Sequence, residues 1–116
     1  MRVKFSGVLV TFLAIFLLIS ACGQIITEKE AIKIASEGVE VSTVERKSLI
    51  TTKEVTDLMN LQLIIGREDL PEKIWFIAFY NPDETILIPT YLDAETGEIL
   101  SQKFIKRDTG EEIKKP

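Results

Sequence analysis

Ile74-Trp75-Phe76-Ile77-Ala78-Phe79-Tyr80 is the most apolar run beyond the first twenty residues, bounded by Lys73 on one side and Asn81-Pro82-Asp83 on the other. Seven residues with this aromatic content are too few for a buried helix and predict a central strand. Its aromatic rings, Trp75 included, are expected to serve as core. Asn81-Pro82-Asp83-Glu84 reads as a turn, and Thr85 to Asp93 as the next strand. Proline cannot donate to a ladder, so Pro89 places that strand at an edge or demands a bulge near Ile88 to Thr90. Asp93-Ala94-Glu95-Thr96-Gly97-Glu98 then forms a hairpin turn, with Gly97 where φ must be positive, and Ile99 to Ile105 returns as a strand. Asp108-Thr109-Gly110-Glu111 echoes Glu95-Thr96-Gly97-Glu98 thirteen residues later. The echo predicts a second turn, a short last strand at Glu112-Ile113, and a frayed Lys114-Lys115-Pro116 tail. Two such turns make a meander rather than a repeat array.

On the amino-terminal side, Thr27-Glu28-Lys29-Glu30 fits a capping box and opens a helix. Ala31, Ile32, Ile34 and Ala35 form its apolar stripe, and Gly38 is placed to end it. A helix of about ten residues is too short to stand alone, so it must pack on the sheet, and the two alanines allow a close approach. Val39 to Val44 alternates and is β-branched, which predicts a strand. Thr51-Thr52-Lys53-Glu54 offers another capping box leading into Val55, Leu58 and Met59, with Leu61 to Ile65 as a short strand or the end of that helix. Gly66 to Pro71 is a loop. The fold class is therefore α+β: one amino-terminal helix packed on an antiparallel meander, with an extra helix inserted near 51–62 as an option.

A chain of 116 residues holds at most one ordinary domain. All 18 acidic residues follow Cys22, against 12 of the 14 basic ones, so that part carries a net charge of −6. Such a domain is repelled by a phosphate backbone, which speaks against nucleic acid as a partner. With no His and one Cys, a Cys/His zinc site, an intrachain disulfide and His-based nucleophile triads are excluded by composition.

Met1-Arg2-Val3-Lys4 is a short basic start, followed by fifteen uncharged residues from Phe5 to Ile19. These are the first two regions of a signal peptide. As a helix the fifteen residues reach about 22 Å, short of the ~30 Å hydrocarbon core, which favours cleavage over an uncleaved anchor helix. Ile19-Ser20-Ala21-Cys22-Gly23 resembles the bacterial lipobox, with Ile19 where leucine is commonest. The resemblance implies cleavage between Ala21 and Cys22 and acylation of the Cys22 thiol. Two or three acyl chains make a durable tether where one does not.

Three stretches together resemble a PepSY domain: Ile26 to Ala35, Trp75 to Phe79, and Tyr91-Leu92-Asp93-Ala94-Glu95-Thr96-Gly97-Glu98-Ile99-Leu100. The residues that carry the motif are Thr27, Glu30, Ala31, Ala35, Trp75, Tyr91, Asp93, Thr96, Gly97 and Glu98. The segment from Lys47 to Leu70 departs from it by its length. The resemblance implies an antiparallel sheet crossed by one helix, as in cystatin-like folds. It also implies a part in inhibiting or regulating peptidases, and carries over no catalytic residue. Read as chemistry, Asp93 with Glu95 or Glu98 makes a carboxylate pair. Three acidic residues in one hairpin fall short of the six to eight oxygens calcium needs, and a tight exposed turn offers no pocket to shift a pKa. The expected roles of these residues are therefore structural, with no catalytic residue, no metal and no cofactor.

The expected organisation is a cleaved lipoprotein signal at 1–21, a lipidated cysteine and tether at 22–26, a PepSY-like domain at 27–106 and a hairpin or frayed tail at 107–116. The expected protein is not an enzyme. It is a module held by its lipid on the outer face of a bacterial membrane, contacting an extracytoplasmic protease, or alternatively an envelope lipoprotein that binds another protein or a cell-wall component.

Overall fold

The computed structural model describes residues 24–115. They form an α+β fold with two helices, α1 (Glu28–Ser36) and α2 (Leu58–Ile65), and six strands. The strands are β1 (Val44–Thr51), β2 (Lys73–Tyr80), β3 (Ile86–Asp93), β4 (Ile99–Gln102), β5 (Phe104–Lys106) and β6 (Glu112–Ile113). All pairings are antiparallel, in the order β1-β2-β3-β5-β6, with β4 also on β3.

The decisive run is indeed a central strand, paired with β1 through Ile74↔Ile50 and with β3 through Ala78↔Pro89. Side chains alternate between the faces of the sheet. Trp75, Ile77 and Phe79 join Ile88, Leu92 and Phe104 beneath α1, whose Ala31 and Ala35 are fully buried against them. Ile74 faces the other way, into a second cluster with Leu61 and Ile65 of α2, flanked by Ile50, Tyr91 and Leu100. Each helix thus covers a different face, and α2 covers only the end of the sheet that carries Ile74.

Pro89 lies in an internal strand, which corrects the expectation of an edge or a bulge at 88–90. The Ala94 amide donates to the Lys73 carbonyl at 3.0 Å, which fixes the phase of the β2–β3 ladder. In that phase the backbone polar groups of Pro89 point away from β2, toward Lys103, whose amide donates to the Pro89 carbonyl at 3.1 Å. Thr90 and Tyr91 stand opposite Gln102 and Ser101, and Ile86 and Leu87 opposite Lys106 and Ile105. Strands β4 and β5 are therefore one line in a single register, interrupted where the proline lacks its donor. The bulge lies further along, where Tyr91↔Ser101 gives way to Leu92↔Ile99. Leu100 is the extra residue, and it joins the cluster under α2.

Val39 to Thr43 is not a strand, a second correction. Val39 and Val41 do pack on the core, but the backbone meets β2 only through Ser42 N–H to the Tyr80 carbonyl (2.9 Å) and Tyr80 N–H to the Thr43 carbonyl (3.3 Å). The regular strand starts at Val44, and its side chains are exposed from Val44 to Leu49, so no buried stripe advertised it. The inserted helix also differs from the expectation. Thr51 makes no side-chain cap, Thr52–Glu54 is a single 3-10 turn, and Asp57 caps α2 by accepting from Asn60 N–H at 3.1 Å. Gly66, at φ 88, closes the helix in a left-handed cap.

Candidate functional site

The motif residues gather at the end of the sheet where the chain enters. Ile26, 8% exposed, donates its amide to the Ala94 carbonyl at 2.8 Å and accepts the Trp75 indole N–H at 3.0 Å. One residue on, the Thr27 hydroxyl accepts from Glu30 N–H at 3.1 Å while the Glu30 carboxylate accepts from Thr27 N–H at 3.2 Å, closing the capping box. Gly38 follows the α1 cap at φ 73. Lys47 of β1 reaches across to Glu28 at 2.6 Å, both about half exposed, a pair of small energetic weight.

Asp93, Thr96, Gly97 and Glu98 form the turn. The Asp93 carboxylate accepts from the Glu95 amide at 2.8 Å and the Thr96 amide at 3.3 Å, and the Thr96 hydroxyl accepts from the Glu98 amide at 3.2 Å. Asp93 is thus engaged with its own backbone. Gly97 has φ 80, and a Cβ there would lie 2.9 Å from Cδ1 of Ile34. The turn at 108–111 repeats the wiring: Gly110 N–H donates to the Lys106 carbonyl as Gly97 N–H does to that of Asp93, and the Thr109 hydroxyl accepts from Glu111 N–H at 3.2 Å. It leads into β6.

Tyr91 lies on the α2 face with its ring centroid 4.9 Å from that of Phe76, and burial pushes its phenol above its ordinary pKa of 10.0. The Asp83 carboxyl is held below its ordinary 3.8, first by the Thr85 hydroxyl at 2.7 Å and then by the Thr85 amide. Two features had no separate signal in the sequence. Gln102 donates to the Thr90 hydroxyl and to the Ala35 carbonyl, and Arg107 stands 4.7 Å over the Tyr80 ring with Glu84 at 3.6 Å. Cys22 and Ala21 lie outside the described residues. Among the described residues no group of three or more acidic or cysteine side chains is placed to hold a metal, and no helix is long and apolar enough to cross a membrane.

What the arrangement offers is backbone. The Thr52 amide donates to the Glu72 carbonyl at 2.9 Å, so the even-numbered residues of β1 bond to β2. The amides and carbonyls of Lys47, Leu49 and Thr51 then point outward along an edge with no strand beyond it among the described residues. No family model, curated protein or solved structure matches this chain.

Proposed function

We propose that this chain is a membrane-tethered, extracytoplasmic protein-binding module that acts without chemistry of its own, contacting a secreted or envelope peptidase and restraining or guiding it. The observation that carries the binding half is the eight-residue edge of β1, whose outward N–H and C=O groups form a template for an extended segment of a partner. Arg46 and Lys47 in its middle oppose pairing between two copies, since antiparallel self-pairing centred on either residue sets like charges face to face. The tether rests on the lipobox resemblance at Cys22, and the peptidase on the resemblance of most of Ile26 to Phe104 to PepSY domains, with its helix, aromatic strand and Thr-Gly-Glu hairpin.

The test is a titration of secreted metalloproteases from the same organism with the chain, following protease activity and integrity of the added protein together. Saturable inhibition with the module intact is the expected result. Leu49→Pro sharpens it, because that amide points outward and its loss spares the β1–β2 ladder. The variant should keep the fold and lose the inhibition. Digestion as a simple substrate, or no effect on the enzymes, would discard the peptidase and leave an envelope lipoprotein with another partner.

A further inference from the structure

Among the described residues, the face of the sheet that carries α2 is covered at one end only. Beyond the α2 cluster, the next rows along the strands are Phe76 with Tyr91, then Ala78 with Pro89, then Tyr80 with Leu87. Phe76, Tyr80, Leu87, Pro89 and Ile105 are half-buried, an apolar surface left open beside α2. From Ile74 to Ala78 is four residues, about 13 Å along the strand. Packed helices lie about 8–10 Å apart, so the open stretch is one helix wide.

Charge marks the two ends of this slot. In the row of Ala78 and Pro89, the β1 position is Arg46 and the position facing Pro89 across from β3 is Lys103. No acidic side chain among the described residues lies within 4.0 Å of either. Three strand spacings separate them, about 14 Å. That is the rise of about nine helical residues. Arg107, over Tyr80, is already paired with Glu84 at 3.6 Å and adds no free charge to the slot. A domain that is strongly acidic as a whole thus presents two cations in this row, while Glu112, opposite Ile105 on the same face, lies outside it.

We infer that this slot receives an amphipathic helix of a partner protein, laid alongside α2 with its apolar stripe on Phe76, Ala78, Pro89 and Leu87 and with carboxylates on the same helix face, about seven or eleven residues apart, meeting Arg46 and Lys103. The inference rests on the reading of the chain as a protein-binding module and adds a second contact to the edge of β1. Other occupants fit less well. A bilayer is flat, and α2 rises about one helix thickness above the sheet and holds such a surface away from the recessed rows. The chain's own apolar stretch, Phe5 to Ile19, carries no charge for the two cations, and a second copy would bring its own cations against them.

The experiment places a photo-crosslinking side chain at Leu87 or Ser48 of the full chain in intact cells, with Lys29 on the far side of α1 as control, and sequences the crosslinked peptide. Expected is an adduct from Leu87 and Ser48, absent from Lys29, to a helical-period segment of another protein bearing carboxylates about seven or eleven residues apart. Its yield should fall about tenfold or more in the Arg46→Glu, Lys103→Glu double variant, with the circular dichroism spectrum unchanged. Adducts only to lipid, to residues 1–23 or to a second copy would overturn the inference, as would an adduct that survives the charge reversals. If the double variant still inhibits a peptidase that Leu49→Pro releases, the slot reading fails and the module reading stands.

Discussion

The side-chain amide of Gln102 donates to the Thr90 hydroxyl at 2.9 Å and, from the same nitrogen, to the Ala35 carbonyl at 2.8 Å. Thr90 is fully buried, and Ala35 belongs to the last turn of α1, where carbonyls lack helical partners. One glutamine thus satisfies a core hydroxyl and caps the helix end. Gln102→Leu leaves both acceptors unpartnered and should lower unfolding stability by about 1–3 kcal/mol. Adding Thr90→Val removes the stranded hydroxyl and should recover part of that loss. Urea unfolding of the single and double variants measures both, and equal midpoints for the two would refute the shared role.

The two turn glycines separate backbone strain from crowding. Both have positive φ, 80 at Gly97 and 76 at Gly110, but a Cβ at Gly97 meets Ile34 at 2.9 Å while none of the described residues comes within 4 Å of one at Gly110. Gly110→Ala should cost about 1 kcal/mol from the left-handed conformation alone. Gly97→Ala should cost more, and Ile34→Val, which trims the opposing Cδ1, should narrow the gap. Additive effects of the Gly97 and Ile34 changes in a double-mutant cycle would show that the contact does not matter.

Thr27→Ala removes the hydroxyl that caps α1 and should lower stability by about 1 kcal/mol, whereas Thr27→Ser should hold most of it. Thermal melts followed at the helical circular dichroism signal distinguish the two. Similar melting for both variants would mean that the methyl group, not the hydroxyl, carries the effect.

Tyr91 gives an alkaline dependence of known sign. Its folded pKa lies above the unfolded value of 10.0, so its contribution is complete below pH 10 and is lost as pH rises through the folded pKa. Tyr91→Phe should flatten that part of the alkaline decline. The quantity to compare is the difference in urea midpoint between wild type and variant from pH 9 to 12. A constant difference would mean that the phenol titrates alike in both states.

The parts of the fold read most directly from sequence are those where the signal is local. The capping box at Thr27 and Glu30 and the turn at Asp93 to Glu98 are closed by side chains a few residues apart, and both stand as expected. The apolar run of β2 declared itself because both of its faces are apolar, with Ile77 and Phe79 buried on one and Ile74 and Ala78 on the other. Strand β1 did not, because Glu45-Arg46-Lys47-Ser48 faces solvent and only β2 tells it to be extended. Pro89 misled for a related reason. Its missing donor was legible, but the accommodation lies in Lys103 on another strand, which no local pattern reports. Of the two proposed binding surfaces, the outward edge follows from the ladder phase and the open slot from where α2 stops. Neither has a motif.

The seat of Ile26 has a mechanical consequence. A pull along the residues that precede Gln24 reaches the fold through the Ile26 amide on Ala94 and the Ile26 carbonyl on Trp75, at the end of the paired central strands β2 and β3. Tension therefore loads the core of the sheet and the start of α1 first. Strand β1, on the far side of β2, lies off that load path, so its outer rim can keep its shape under such a pull.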